Sequence, residues 1–247
     1  MRRSLCRGWY AVFFMLAALL LPQLSLAEEG RALRGYSPDG GYVYLNLGET
    51  EQTLEGDVLP IVWRVLSVEE DRAYIVSEYV LGNHRIHPDD NEWIAFGADF
   101  AKTEMCEFLN GTFAPKVFTE EELSYIVETD RYGRIFLLSS DDLKNKAYGF
   151  GTDKSRKAWG TEYAVANGLF KYGVGNGAHS PYWTLTQSST APYAARCTKA
   201  KGNLGWIRVV VENEGYRPAC YLDLNACAVV GGKGTLDDPY LLGSRAE

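Results

Sequence analysis

The alternation of apolar and polar positions changes character along the chain. Residues 41–47 set Val43, Leu45 and Leu47 against Tyr42, Tyr44 and Asn46, the period of two of a half-buried strand. Residues 59–66 and 72–80 are dense in Val, Ile, Tyr and Trp and are separated by Val68-Glu-Glu-Asp71. They are predicted to form neighbouring antiparallel strands joined by a charged turn. From residue 102 the period lengthens. Met105, Phe108 and Leu109 share one helical face, with Asn110-Gly111 as a stop signal. Thr119-Glu-Glu-Glu122 is a capping box opening a helix to about residue 128. A short apolar strand is expected over 134–139, a helix from Ser139 to about Tyr148, and a capped helix over 161–168. Strand-like runs return at 181–186, 193–198, 205–211 and 216–224, and residues 231–242 add a turn and a last short strand. This predicts an α+β chain, strands at both ends and helices in the middle.

The first 27 residues read as a signal peptide. Arg2, Arg3 and Arg7 flank the uncharged run Trp9–Leu21, Pro22 breaks it, and Ser25-Leu26-Ala27 supplies small residues for cleavage. Residues 28–40 are a polar flexible segment, 41–242 a single domain and 243–247 a tail without a hydrophobic stretch, so no membrane span is expected after cleavage. The leader also changes the charge. The whole chain carries −7, but the leader holds three arginines and no acid, leaving 22 basic against 32 acidic side chains, or −10. No basic cluster interrupts this acidity, so no nucleic-acid partner is expected. In the oxidising compartment that a leader implies, Cys106, Cys197, Cys220 and Cys227 are disulfide candidates; the pairing is open, and free buried thiols are the alternative.

Candidate catalysis is thin. His84-Arg-Ile-His87 with Asp89 and Asp90 lacks the helical His spacing of a zinc motif, so no metal is assigned. No Gly-x-Ser-x-Gly elbow occurs, and Gly173-Val-Gly-Asn-Gly177 lacks the Lys-Ser/Thr of a phosphate loop. No catalytic residue and no cofactor are assigned. Aromatic residues are the conspicuous surplus: five tryptophans follow the leader. Trp63 and Trp206 lie in strands and read as core, whereas Tyr182, Trp183 and Trp159 flank the Gly-rich stretch and are the candidate ligand-binding residues.

Several segments form an ordered series: Pro60-Ile-Val-Trp-Arg-Val-Leu66, Ser77-Glu-Tyr-Val-Leu81, Phe108-Leu-Asn-Gly-Thr-Phe113 and Phe118-Thr-Glu-Glu-Glu122 with Ile126. Ile135-Phe-Leu-Leu-Ser139, Arg156-Lys-Ala followed by Thr161-Glu-Tyr-Ala164, and Gly215-Tyr-Arg-Pro-Ala219 with Tyr221-Leu222 continue the series. Together, over about residues 40–225, they resemble a bacterial family, the "domain of unknown function six-two-seven-three". The chain departs from the family at Cys106, where an Arg is usual, and at Tyr182-Trp-Thr-Leu-Thr-Gln187, where a Trp-Trp-Leu-Arg-Ser-Pro stretch is usual. The family occurs in exported and surface proteins, and its late strands are similar to C-type-lectin-like and formylglycine-generating-enzyme-like folds. The resemblance therefore implies a C-type-lectin-like α+β domain acting as an exported, non-enzymatic binding module for a glycan or a protein at the cell envelope. A cysteine-dependent enzyme and a structural envelope assembly protein are the alternatives. The calcium-ligating triplets of sugar-binding lectins are absent from the sequence.

Overall fold

The computed structural model describes residues 33–173 and 179–245; the expected signal peptide, residues 28–32, most of the Gly-rich stretch and the last two residues lie outside it. Its strands are β1 (Tyr44–Glu51), β2 (Val58–Glu69), β3 (Arg72–Ser77), β4 (Gly82–Asn83), β5 (Phe136–Leu137), β6 (Tyr182–Gln187), β7 (Ala194–Thr198), β8 (Leu204–Arg208), β9 (Gly215–Tyr216), β10 (Pro218–Asp223), β11 (Cys227–Gly231) and β12 (Tyr240–Ser244). They form two sheets, ordered β11-β12-β1-β2-β3-β10-β5 and β4-β9-β6-β7-β8. Short helical segments carry the chain between them, so the protein is mixed α/β. The strands at the two ends of the described chain meet in the first sheet, where β1 pairs with β12 in parallel, unlike the antiparallel pairing of β1 with β2 and β2 with β3.

Local sequence explains the helices and where they fall short of expectation. Thr119 accepts the Glu122 N–H while the Glu122 carboxylate takes the Thr119 N–H, the predicted capping box. The other Glu122 oxygen accepts from Gly48 N–H at 2.8 Å, fastening this helix to β1. The helix stops at Ser124 rather than near 128, because Val127 N–H is claimed by the Tyr221 carbonyl beyond it. The expected helix over 139–148 is instead two 3-10 turns, Asp142–Lys144 and Lys146–Tyr148. Asp142 takes both the backbone N–H and the hydroxyl of Ser139, and Asn145 caps a fresh turn at Ala147, so the backbone restarts instead of propagating.

Asn110-Gly111 also behaves differently from a stop. The chain passes through it as a π-helical segment, Phe108–Phe113, between Glu104–Glu107 and Ala114–Val117. The Asn110 amide is occupied elsewhere: it donates to the carbonyls of Tyr132 and Ile135 and accepts from the N–H groups of Arg134 and Ile135 at 2.8–3.0 Å. Gly133 sits against this amide at φ 73°, where a Cβ would come within 2.5 Å of Asn110 Oδ1. Only glycine satisfies both the conformation and the space.

The predicted strand over 216–224 is broken at Arg217, with β9 in the second sheet and β10 in the first. The chain crosses between the same sheets after β3, at Glu78. These two crossings are bonded together. Arg64 on β2 grips Glu78 with two hydrogen bonds of 2.7 and 2.6 Å, and Arg217 donates to the Ser77 carbonyl at 2.6 Å with its Nη2 4.0 Å from the Glu78 carboxylate. All three charges are buried. Apolar core residues of both sheets, including Trp63, Ile75, Tyr182 and Trp183, pack in one cluster around them.

Replacing Glu78 with Ala strands two buried guanidinium groups and is expected to cost about 3–5 kcal/mol of folding stability. Removing the exposed Lys233–Asp238 pair is expected to cost less than about 1 kcal/mol. Urea denaturation of both variants beside the wild type measures the difference.

Candidate functional site

The three aromatic residues singled out from sequence separate in space. Tyr182 and Trp183 are core residues, not ligand-facing ones. The Tyr182 hydroxyl donates to the Arg156 carbonyl at 2.7 Å, and the Trp183 indole N–H donates to the His84 carbonyl at 2.8 Å. Both polar edges are spent inside the protein because the first half of β6 is covered on both faces. Trp159 is different. It is 39% exposed, and its ring lies 4.7 Å from that of His179. His179 exchanges two backbone hydrogen bonds with Tyr172, which places Trp159 one step from the wall of a pocket.

That pocket, of about 380 Å³, is bounded by three segments. Phe170 and Tyr172 form one wall and are 48% and 51% exposed. The hairpin between β7 and β8, from Lys199 to Asn203, forms the facing wall. Asn213 and Glu214, just before β9, close the floor with Pro181 and Ile207. The hairpin is fixed from below: the Arg156 guanidinium donates to the Gly202 carbonyl at 2.9 Å and to the carbonyls of Leu143 and Phe150. Gly202 has φ 89°, and a Cβ there would overlap the Asp153 carbonyl, so the turn is specific to glycine. Phe170 N–H donates to the Asn213 carbonyl at 2.9 Å, holding the aromatic wall to the floor.

The floor carries the site's chemistry. Glu214 is only 3% exposed, and its Oε1 has no hydrogen-bond partner. Burial pushes its carboxyl pKa up, while Lys199 and the neighbouring Cys197 thiol pull it back. Lys201 stands at the rim, with its ammonium 4.9 Å from the centre of the Tyr172 ring. The pocket therefore combines aromatic faces, two amide side chains and two ammonium groups over a buried carboxylate, which suits a small polar ligand with an apolar face.

The remaining candidate groups are held by the fold. His84 stacks on Phe108 at 4.4 Å and lies 3.5 Å from Glu104, whereas His87 faces Glu92 at 3.2 Å. Asp89 caps the helix Asp90–Ala95, and Asp90 is engaged by Arg208. Cys106, Cys197, Cys220 and Cys227 are free and buried in this structure, the alternative to disulfides. Cys106 lies on a helix, Cys197 on β7 opposite Trp183, Cys220 on β10 and Cys227 on β11. Burial raises the pKa of all four thiols, that of Cys227 to about 11, with nearby carboxylates adding to the shift at Cys106, Cys197 and Cys227. A thiol so disfavoured as thiolate is a poor nucleophile.

Sequence reasoning missed Phe170, Tyr172, Lys199, Lys201 and Glu214. Phe170-Lys-Tyr172 ahead of the Gly-rich stretch was a usable signal, being aromatic, basic and outside any periodic run. Nothing marked Glu214, one acid among several in a turn, as buried.

Fold and pocket define a two-sheet α/β protein with an aromatic-walled site floored by a carboxylate. The chain belongs to the family described as Domain of unknown function (DUF6273), which matches residues 70–224. The match runs from the β2–β3 turn past the end of β10 and contains the whole pocket, while Pro60–Leu66 lies ahead of it. No curated protein and no solved structure matches the chain.

Two outcomes follow. With a thiol reagent and no reductant, the folded protein is expected to react slowly, and denaturation is expected to release Cys106, Cys197, Cys220 and Cys227 to it; thiols that stay silent after denaturation would mean disulfides. For Glu214, a raised folded-state pKa means the folded state binds the proton more tightly than the unfolded one. Its contribution to stability is therefore present at acid pH and lost as pH rises through that raised value. Glu214→Gln is expected to flatten this loss, so its denaturation midpoint should exceed the wild type's at neutral pH and approach it near pH 4.

Proposed function

We propose that this protein is an exported binding module that recognises a saccharide in the pocket between Phe170, Tyr172 and the Lys199–Asn203 hairpin. The observation that carries the reading is two half-exposed aromatic rings in one pocket with the side chains of Asn203, Asn213, Lys199 and Lys201. Sugars present apolar C–H faces and hydroxyls on one body, and an aromatic wall beside amide and ammonium groups meets both. The leader pattern of residues 1–27 supports export. A C-type-lectin-like relationship is part of the proposal. It is supported by β1 and β12 lying side by side, with the helices and a second sheet between them in sequence. The cysteine-enzyme alternative loses ground because all four thiols are buried with raised pKa values. A protein partner and an assembly role lack an observation of comparable specificity.

A glycan array probed with the wild type and with Tyr172→Ala tests the reading. Binding to a subset of glycans that falls at least tenfold in Tyr172→Ala supports it. An empty array, or binding indifferent to Tyr172, overturns it. Trp183→Ala is expected to fail by unfolding instead, since that ring is core.

A further inference from the structure

The distribution of charge around the pocket runs against that of the chain. The protein is acidic, yet the hairpin wall presents Lys199 and Lys201, with Glu214 the one carboxylate lining the pocket. The two lysines occupy different depths. Lys199 follows β7 inward, its aliphatic stem over Gly205 and its charge acting on both Glu214 and Cys197. Lys201 is held at the rim over the Tyr172 face. Glu214 lies beneath them, its Oε1 sealed from water. A neutral sugar would meet the aromatic wall but give the two lysines no carboxylate.

We infer that the pocket takes an acidic saccharide, with the ligand's carboxylate met by Lys199 and Lys201 on the hairpin wall and the C–H face of the ring against Phe170 or Tyr172. The inference rests on the saccharide reading above and names the class of sugar. The lysines read the ligand's charge, and the aromatic wall reads the flat apolar face. Ammonium–carboxylate hydrogen bonds are stronger than neutral ones, and at a partly exposed rim they weaken with salt.

The test is an array carrying uronate- and sialate-terminated glycans beside their neutral cores, probed at low and at high salt with the full protein. Acidic glycans are expected to bind at least tenfold more tightly than their neutral cores at low salt, with the ratio shrinking as salt rises. Lys201→Gln is expected to bring the acidic-to-neutral ratio close to one, and Lys201→Arg to restore it. Circular dichroism of both variants checks that the fold is retained, which the exposed position of Lys201 favours. Equal binding of acidic and neutral glycans by the wild type overturns the inference and leaves the saccharide reading standing. A ratio unaffected by Lys201→Gln also overturns it, and an array with no bound glycan overturns both readings.

Discussion

The two crossings between the sheets meet at one buried carboxylate, gripped by one guanidinium group and flanked by another. Glu78 and Arg217 stand where the chain leaves one sheet for the other, and Arg64 on β2 clamps Glu78 from the side. One negative charge cannot neutralise two positive ones, so the surplus is spread over other partners. The Tyr42 ring lies 4.2 Å from Arg64, the Tyr182 ring 5.4 Å from Arg217, and the Ser77 carbonyl accepts from Arg217. The network bonds β2, the end of β3 and the β9–β10 junction to one another, and so ties the two crossings together.

The pocket inherits its shape from that arrangement. Tyr182, which packs by Arg217, donates to the Arg156 carbonyl, and the Arg156 side chain in turn holds the Gly202 turn. A chain of buried arginine contacts thus runs from the sheet junction to the hairpin that forms one pocket wall. Glu214 precedes β9 by one residue and Arg217 follows it by one, so the floor of the pocket and the sheet crossing share a short segment. Tyr182 and Trp183 do not line the pocket; they belong to the buried core.

Much of the secondary structure was legible because it is local. The capping box at Thr119, the alternation that runs into β1 and the charged turn between β2 and β3 are written in adjacent residues, and the structure places elements there. The misreadings share one cause. Asn110 and Asp142 carry side chains that compete for backbone groups, Asn110 for groups more than twenty residues away, and that competition is invisible to a period count. The strand over 216–224 was seen as one run because nothing in its hydrophobic pattern says that Arg217 faces a carboxylate from another strand.

Composition and pattern alone determined the acidic character, the sheet–helix–sheet order and the surplus of aromatics, since these depend on residue type and near neighbours. They also carried the motifs that place the chain in its family. Only the tertiary structure decided which aromatics face out. Tyr182 and Tyr172 are chemically identical, but one is enclosed by a sheet and a buried arginine while the other stands on an edge beside a lysine. The same holds for Glu214, an ordinary acid in the sequence that the fold buries with one oxygen left without a donor. Burial depends on residues distant in sequence, and no local pattern encodes it.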